Sequence, residues 1–142
     1  MTTFFTSREI SATPEDVFAA IGDPDRLARW WGPAGFTNTF SVCEFTVGGR
    51  WSFVMHGPDG ANYPNENRFT EIEAPRKVVI QHLSEPKIFL TMELAASTGG
   101  TVVTWSQVLE NSEFAERVRP IVAPANEQNL DRLTAEVLRK NA

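Results

Sequence analysis

From residue 36 to residue 109 apolar side chains tend to alternate with polar ones, and beyond residue 124 they recur at the spacing of a helix face. The clearest alternation is Trp51, Phe53 and Met55 against Ser52, Val54 and His56, which gives one strand a strongly aromatic face. A strand is predicted before it, through Phe40, Val42 and Phe45, closed by Gly48 and Gly49. After the Pro58-Asp59-Gly60 turn, residues 62–73 return as a polar strand anchored by Phe69 and Ile72, whose odd spacing marks a bulge. Residues 78–83, 88–94 and 101–109 complete the run, with breaks at Ser84-Glu85-Pro86 and Gly99-Gly100.

Helical signals flank these strands. Residues 2–11 read as a first strand, and Thr13-Pro14-Glu15-Asp16 then opens a short helix that carries Val17, Phe18 and Ile21 and stops at Gly22. Asp23-Pro24-Asp25 repeats the signal for a second one, through Leu27 and Trp30 to Gly32-Pro33. Ser112 caps a short helix at residues 113–119, which Pro120 interrupts. Pro124 starts the terminal helix, whose Leu130, Leu133, Val137 and Leu138 fall at i, i+3, i+7 and i+8. The pairs Arg132–Glu136 and Glu136–Lys140 are placed on its exposed side. Such a helix is too short to stand alone, so the antiparallel strands are its cover. The expectation is an α+β fold: a curved sheet of six to seven strands around a long C-terminal helix, as one domain over residues 1–142.

Composition narrows the function classes. The formal charge is −5 with no block of Lys or Arg, which argues against nucleic acid and anionic membrane as partners. No apolar run approaches the roughly 18 residues that span a bilayer. A single cysteine, Cys43, excludes an internal disulfide and agrees with a reducing compartment, and residues 1–10 lack a signal-peptide pattern, so a cytoplasmic location is expected. Ten Phe, four Trp and one Tyr are the informative excess, read either as a well-filled core or as the lining of a cavity.

The order of strand, two small helices, strand run and long helix is that of the helix-grip fold. At Trp30-Trp31-Gly32-Pro33 the sequence resembles the heat-shock-protein-90 ATPase activator homologue family, of the SRPBCC or START-like superfamily that includes the birch pollen allergen fold. The resemblance runs through residues 13–18, Gly48-Gly49-Arg50-Trp51, Phe53-Val54-Met55, Phe69-Thr70-Glu71-Ile72, Gly100-Thr101-Val102-Val103-Thr104 and Asn129-Leu130-Asp131-Arg132-Leu133. Where relatives often carry an Asp-x-Arg-Pro run before the paired glycines, this chain has Glu44-Phe45-Thr46-Val47 and so lacks that arginine. The resemblance implies space between sheet and helix, and functions ranging over ligand carriage, cyclisation and co-chaperone action.

Few residues carry chemistry of their own. His56, His82 and Cys43 are the only soft metal ligands, without ligand spacing, so neither a metal nor a cofactor is expected. No G-x-S-x-G elbow supports a serine nucleophile, and Gly48-Gly49 is turn chemistry, not a phosphate loop. Glu66, Glu71 and Glu73 are the carboxylates nearest the aromatic strands; Glu71 is the foremost acid–base candidate and His82 the alternative.

The leading expectation is a binding domain for a small hydrophobic or aromatic molecule, in a stress or regulatory role. The sheet would supply Trp51, Phe53, Met55, Phe69, Phe89, Met92 and Trp105, and the helix Leu130 and Leu133. Trp30 and Trp31 form a plug or gate, one indole facing the core and its neighbour the opening. His82, Gln107 and Asn129 are the polar handles, with Asn126 presenting a further amide inward. The alternatives are a co-chaperone-like module acting on a chaperone ATPase and a cyclase- or aromatase-like enzyme; a homodimer is compatible with each.

Overall fold

The computed structural model describes residues 1–139. The elements are β1 (Thr2–Ile10), α1 (Pro14–Gly22), α2 (Pro24–Trp30), β2 (Thr37–Cys43), β3 (Arg50–His56), β4 (Asn62–Glu73), β5 (Lys77–His82), β6 (Ile88–Ser97), β7 (Gly100–Leu109) and α3 (Ser112–Leu138). All seven strands join one antiparallel sheet in the order β1-β7-β6-β5-β4-β3-β2, and the sheet curves around α3 in an α+β helix grip. Among the described residues no helix is long and apolar enough to cross a membrane.

Local chemistry sets the helix starts. Thr13 Oγ1 accepts from Asp16 N at 3.2 Å ahead of Pro14, and Asp23 Oδ1 accepts from Asp25 N at 3.0 Å ahead of Pro24. Each cap satisfies one amide that a first helical turn leaves unpaired.

The third helix departs from the sequence reading. α3 runs unbroken for 27 residues through both Pro120 and Pro124, and its cap is Asn111, whose Oδ1 accepts from Phe114 N at 3.0 Å, not Ser112. Both prolines lie on the exposed side, where the carbonyls they leave without an amide donor can be solvated. Tertiary packing then outweighs the local penalty: Phe114, Ala115, Val118 and Val122 close against Phe4, Ile88 and Leu109.

Two bulges adjust which side chains face the helix. In β4 the pairing passes from Phe69–Ile80 to Glu71–Val79, so Phe69 and Ile72 both point to the concave side and Glu71 to the convex one. In β2 the shift between Phe40 and Val42 puts both Phe40 and Cys43 opposite inward residues of β3. The main core joins Trp51, Phe69, Met92 and Val103 of the sheet to Leu130, Leu133 and Val137 of α3, with Trp51 stacked on Phe69 at 5.6 Å. Each such side chain contributes roughly 1.5–3 kcal/mol by leaving water.

The end of α3 also differs from expectation. Leu138 is half exposed, one position past the buried stripe that ends at Val137. Glu136 is not on an open face but buried, held by Arg26 at 3.0 Å, Arg29 at 3.0 Å and Arg139 at 3.3 Å. These arginines hold its carboxyl at about 2, against an ordinary 4.5, with the Arg29 hydrogen bond the largest cause. The expected Glu136–Lys140 pair lies outside the described residues.

Candidate binding cavity

Helices α1 and α2 fill one end of the grip, where Trp30 is buried and its indole N–H donates to Ala20 O at 2.9 Å. Toward the other end the inward positions become shorter. β4 presents Asn67 and then Asn65 where Phe69 had filled the space, and α3 presents Val122 and Ala125. A partly open cavity of about 320 Å³ results, between the concave face of the sheet, the middle of α3 and the turn after α2. Its apolar wall comes from Trp31, Met55, Ile80, Leu90 and Trp105. Its polar wall comes from Asn65, Asn67, His82, Gln107, Asn126 and Asn129.

Strand period two explains the polar wall. Asn65 and Asn67 share a face with Phe69, His82 shares one with Ile80, and Gln107 shares one with Trp105. His82 Nδ1 lies 2.9 Å from Ser84 O and 3.0 Å from Pro86 O, so it carries a proton and donates to these carbonyls. Its Nε2 is 3.1 Å from the Asn65 amide oxygen. Asn67 Nδ2 donates to Trp51 O at 3.3 Å, and Asn126 Nδ2 donates to Gln107 Oε1 at 3.0 Å.

The Trp31 side of the cavity is pinned to α3 by polar side chains. Asn129 donates to Trp30 O at 3.2 Å and accepts from Gly32 N at 3.3 Å. Gln128 accepts from Ala34 N at 3.1 Å. Arg132 reaches across the same turn, satisfied by carbonyls, and burial lowers its pKa. Gly32 has φ of 98°, in the left-handed region where a side chain would be strained, so the turn favours glycine there. Trp31 is thereby held with its ring 4.8 Å from that of Trp51 and 6.0 Å from that of Trp105.

No Asp, Glu, Lys or Arg lines this cavity among the described residues, and none of them form a cluster able to hold a metal ion. The arrangement suits an uncharged guest that stacks on indole and hydrogen-bonds to amides.

Seven of the residues singled out in the sequence meet here: Trp31, Met55, His82, Trp105, Gln107, Asn126 and Asn129. Trp30, Trp51, Phe53, Phe69, Met92, Leu130 and Leu133 are packed in the adjoining core and do not line the cavity. Two positions require correction. Phe89 points to the convex face, because Leu90 and Met92 take the inward positions of β6 and an odd separation cannot share their face. Glu71 also points outward, beyond the β4 bulge, with Lys77 Nζ at 3.3 Å, so it offers no acid–base group to the cavity.

Sequence reasoning missed Asn65 and Asn67, although counting back in twos from Phe69 would have found them. It also missed Ile121, Val122 and Ala125, because the stripe of α3 was taken to begin only after the prolines.

The sequence profile of the family described as Activator of Hsp90 ATPase homolog 1-like protein matches residues 11–137. The chain belongs to this family. No curated protein matches it in sequence. Among solved structures, a protein from Nitrosomonas europaea superposes with a TM-score of 0.89 at 17% identity, covering 98% of this chain and 96% of its own. A protein from Arthrobacter aurescens gives 0.87 at 27% identity, over 96% of this chain and 86% of its own. An AHSA1-like protein from Aeromonas hydrophila gives 0.79 at 25% identity, over 99% and 94%. Family membership therefore agrees with the element order, and the 17% likeness speaks for the fold alone.

Proposed function

We propose that this family member binds a small, uncharged, largely apolar molecule between its sheet and α3. The observation that carries this reading is the cavity of about 320 Å³, whose lining combines two indoles with an array of uncharged side-chain amides. That volume lies at the lower end of the roughly 300–1,000 Å³ usual for small-molecule sites. Trp31 and Trp105 supply stacking surface, and His82, Gln107 and Asn126 supply orientation. A close-packed interior would have filled this space with side chains, so the amides gain their sense from a guest.

The family description names an Hsp90 ATPase activator, which keeps a chaperone partner as the competing outcome. Cyclase-like chemistry at Glu71 is disfavoured by that residue's outward position.

Native mass spectrometry of the purified protein, alone and with a set of uncharged bicyclic aromatics, tests the proposal. A single adduct released by mild activation is the expected result. Absence of any adduct, together with stoichiometric binding of the chaperone ATPase, would contradict it.

A further inference from the structure

Resting on the cavity-binding reading, we infer that the ligand carries an adjacent N–H and C=O, as in a lactam or cyclic imide, fused to an apolar ring system. The inference comes from how the amides of Gln107 and Asn126 are joined. Asn126 Nδ2 donates to Gln107 Oε1 at 3.0 Å, and this is the one hydrogen bond between the two side chains among the described residues. Both residues line the cavity, and Asn126 is more than nine-tenths buried. The remaining halves, Gln107 Nε2 and Asn126 Oδ1, have no partner among the described residues.

The pair thus keeps a donor group and an acceptor group in reserve. Reversing both amides would exchange their roles and leave one donor and one acceptor again. A carboxylate could use only the donor, and an ammonium only the acceptor; an amide edge uses both at once. Neither ion would find a counter-charge in the wall.

One further group has unspent capacity in the same wall. Asn67 Oδ1 has no partner among the described residues. Buried polar groups are seldom left so, and two sites of unspent capacity around one cavity indicate a polar edge on the guest. The indoles of Trp31 and Trp105 suit a flat ring system attached to that edge.

Three bicycles of nearly equal size separate the possibilities: quinolin-2-one has the N–H and C=O, coumarin replaces the N–H by oxygen, and naphthalene has neither. Each is titrated into the ¹⁵N-labelled full chain, following the Trp105 indole N–H and the side-chain amides of Gln107 and Asn126. Quinolin-2-one should bind at least about tenfold more tightly than the other two, since a missing partner leaves a buried group unpaired. Gln107→Met should bring the three affinities together by weakening the binding of quinolin-2-one. Equal binding of all three by the wild-type protein would overturn the lactam inference and leave the cavity reading intact. Binding of none would overturn both. A folded Gln107→Met protein that keeps the full preference would remove the amide pair as its source. Should that variant misfold, the wild-type comparison of the three ligands still decides.

Discussion

Arg132 and Trp31 are joined through the backbone: Arg132 Nη1 lies 3.1 Å from the carbonyl oxygen of Trp31. The same nitrogen lies 3.0 Å from Gly32 O and 2.9 Å from Pro33 O, while Nη2 reaches Arg29 O at 2.8 Å and Phe36 O at 3.0 Å. The half-buried guanidinium closes a turn with carbonyls where an ion pair would ordinarily use a carboxylate. Its planar fork is what allows one side chain to gather so many acceptors. Because that turn carries Trp31 into the cavity wall, Arg132 links the helix stripe to the site.

Arg132→Met should therefore destabilise the protein by about 2–4 kcal/mol, as loss of several charge-assisted hydrogen bonds implies. Arg132→Lys should recover only part of this, since an ammonium cannot reproduce the fork. Urea unfolding followed by tryptophan fluorescence measures both. Equal stability of the lysine variant and the wild type would show that charge alone holds the turn.

Glu136 gives the protein an acid-sensitive fastening. Its folded carboxyl sits at about 2, chiefly through the hydrogen bond from Arg29, below the value of about 4.3 for a free glutamate. A depressed folded value contributes stability above the unfolded one, and that contribution is lost as pH falls from about 4.5 to about 2. After screening at the half-exposed Arg29 and Arg139, about 2 kcal/mol is expected from this group. Glu136→Gln should lower stability at neutral pH by about 2–4 kcal/mol and flatten the pH dependence over that window. An unchanged acid limb in denaturant titrations of the variant would place the acid sensitivity elsewhere.

Leu133 is fully buried at the centre of the gripped stripe. Leu133→Ala should destabilise by about 2–5 kcal/mol, the range for a core leucine that leaves a cavity. Thermal or urea unfolding checks this; a loss below about 0.5 kcal/mol would be that of a surface site.

Neighbouring residues on β6 test the two faces of the sheet. Leu90→Ala should cost about 2–5 kcal/mol, whereas Phe89→Ser should stay within about 1 kcal/mol, because Leu90 is buried and Phe89 projects from the convex face. Reversal of that order would invert the strand.

The fold was legible because its signals are local and repeated. Period two between Trp51 and Met55, the Thr13-Pro14 and Asp23-Pro24 starts, and the Leu130–Leu133–Val137 stripe each lead to an observed element. The continuity of α3 was not legible, since the rule for proline is local whereas the packing of Val118 and Val122 against Ile88 and Leu109 is not. Glu136 read as a surface charge because its partners Arg26 and Arg29 lie more than a hundred residues away in the chain. Which aromatic side chains fill the core and which line a cavity depends on sheet curvature and on where α3 crosses it. Alternation therefore brought Trp105 and Gln107 to the right face but could not separate Trp51, in the core, from Trp31, at the cavity.

The central claim is that the space beneath α3 takes a guest in the native protein, and Ala125 gives the most direct test. This residue lines the cavity from the helix side, so Ala125→Phe should place a ring in the space without disturbing the sheet. The native protein and the variant are titrated with an uncharged, environment-sensitive naphthalene dye, with unfolding curves recorded for each. The wild type should bind about one dye in the micromolar range, as modest apolar ligands do, and the folded variant should bind at least about tenfold more weakly. Equal binding by the two, or binding that appears only as the protein begins to unfold, would contradict the account.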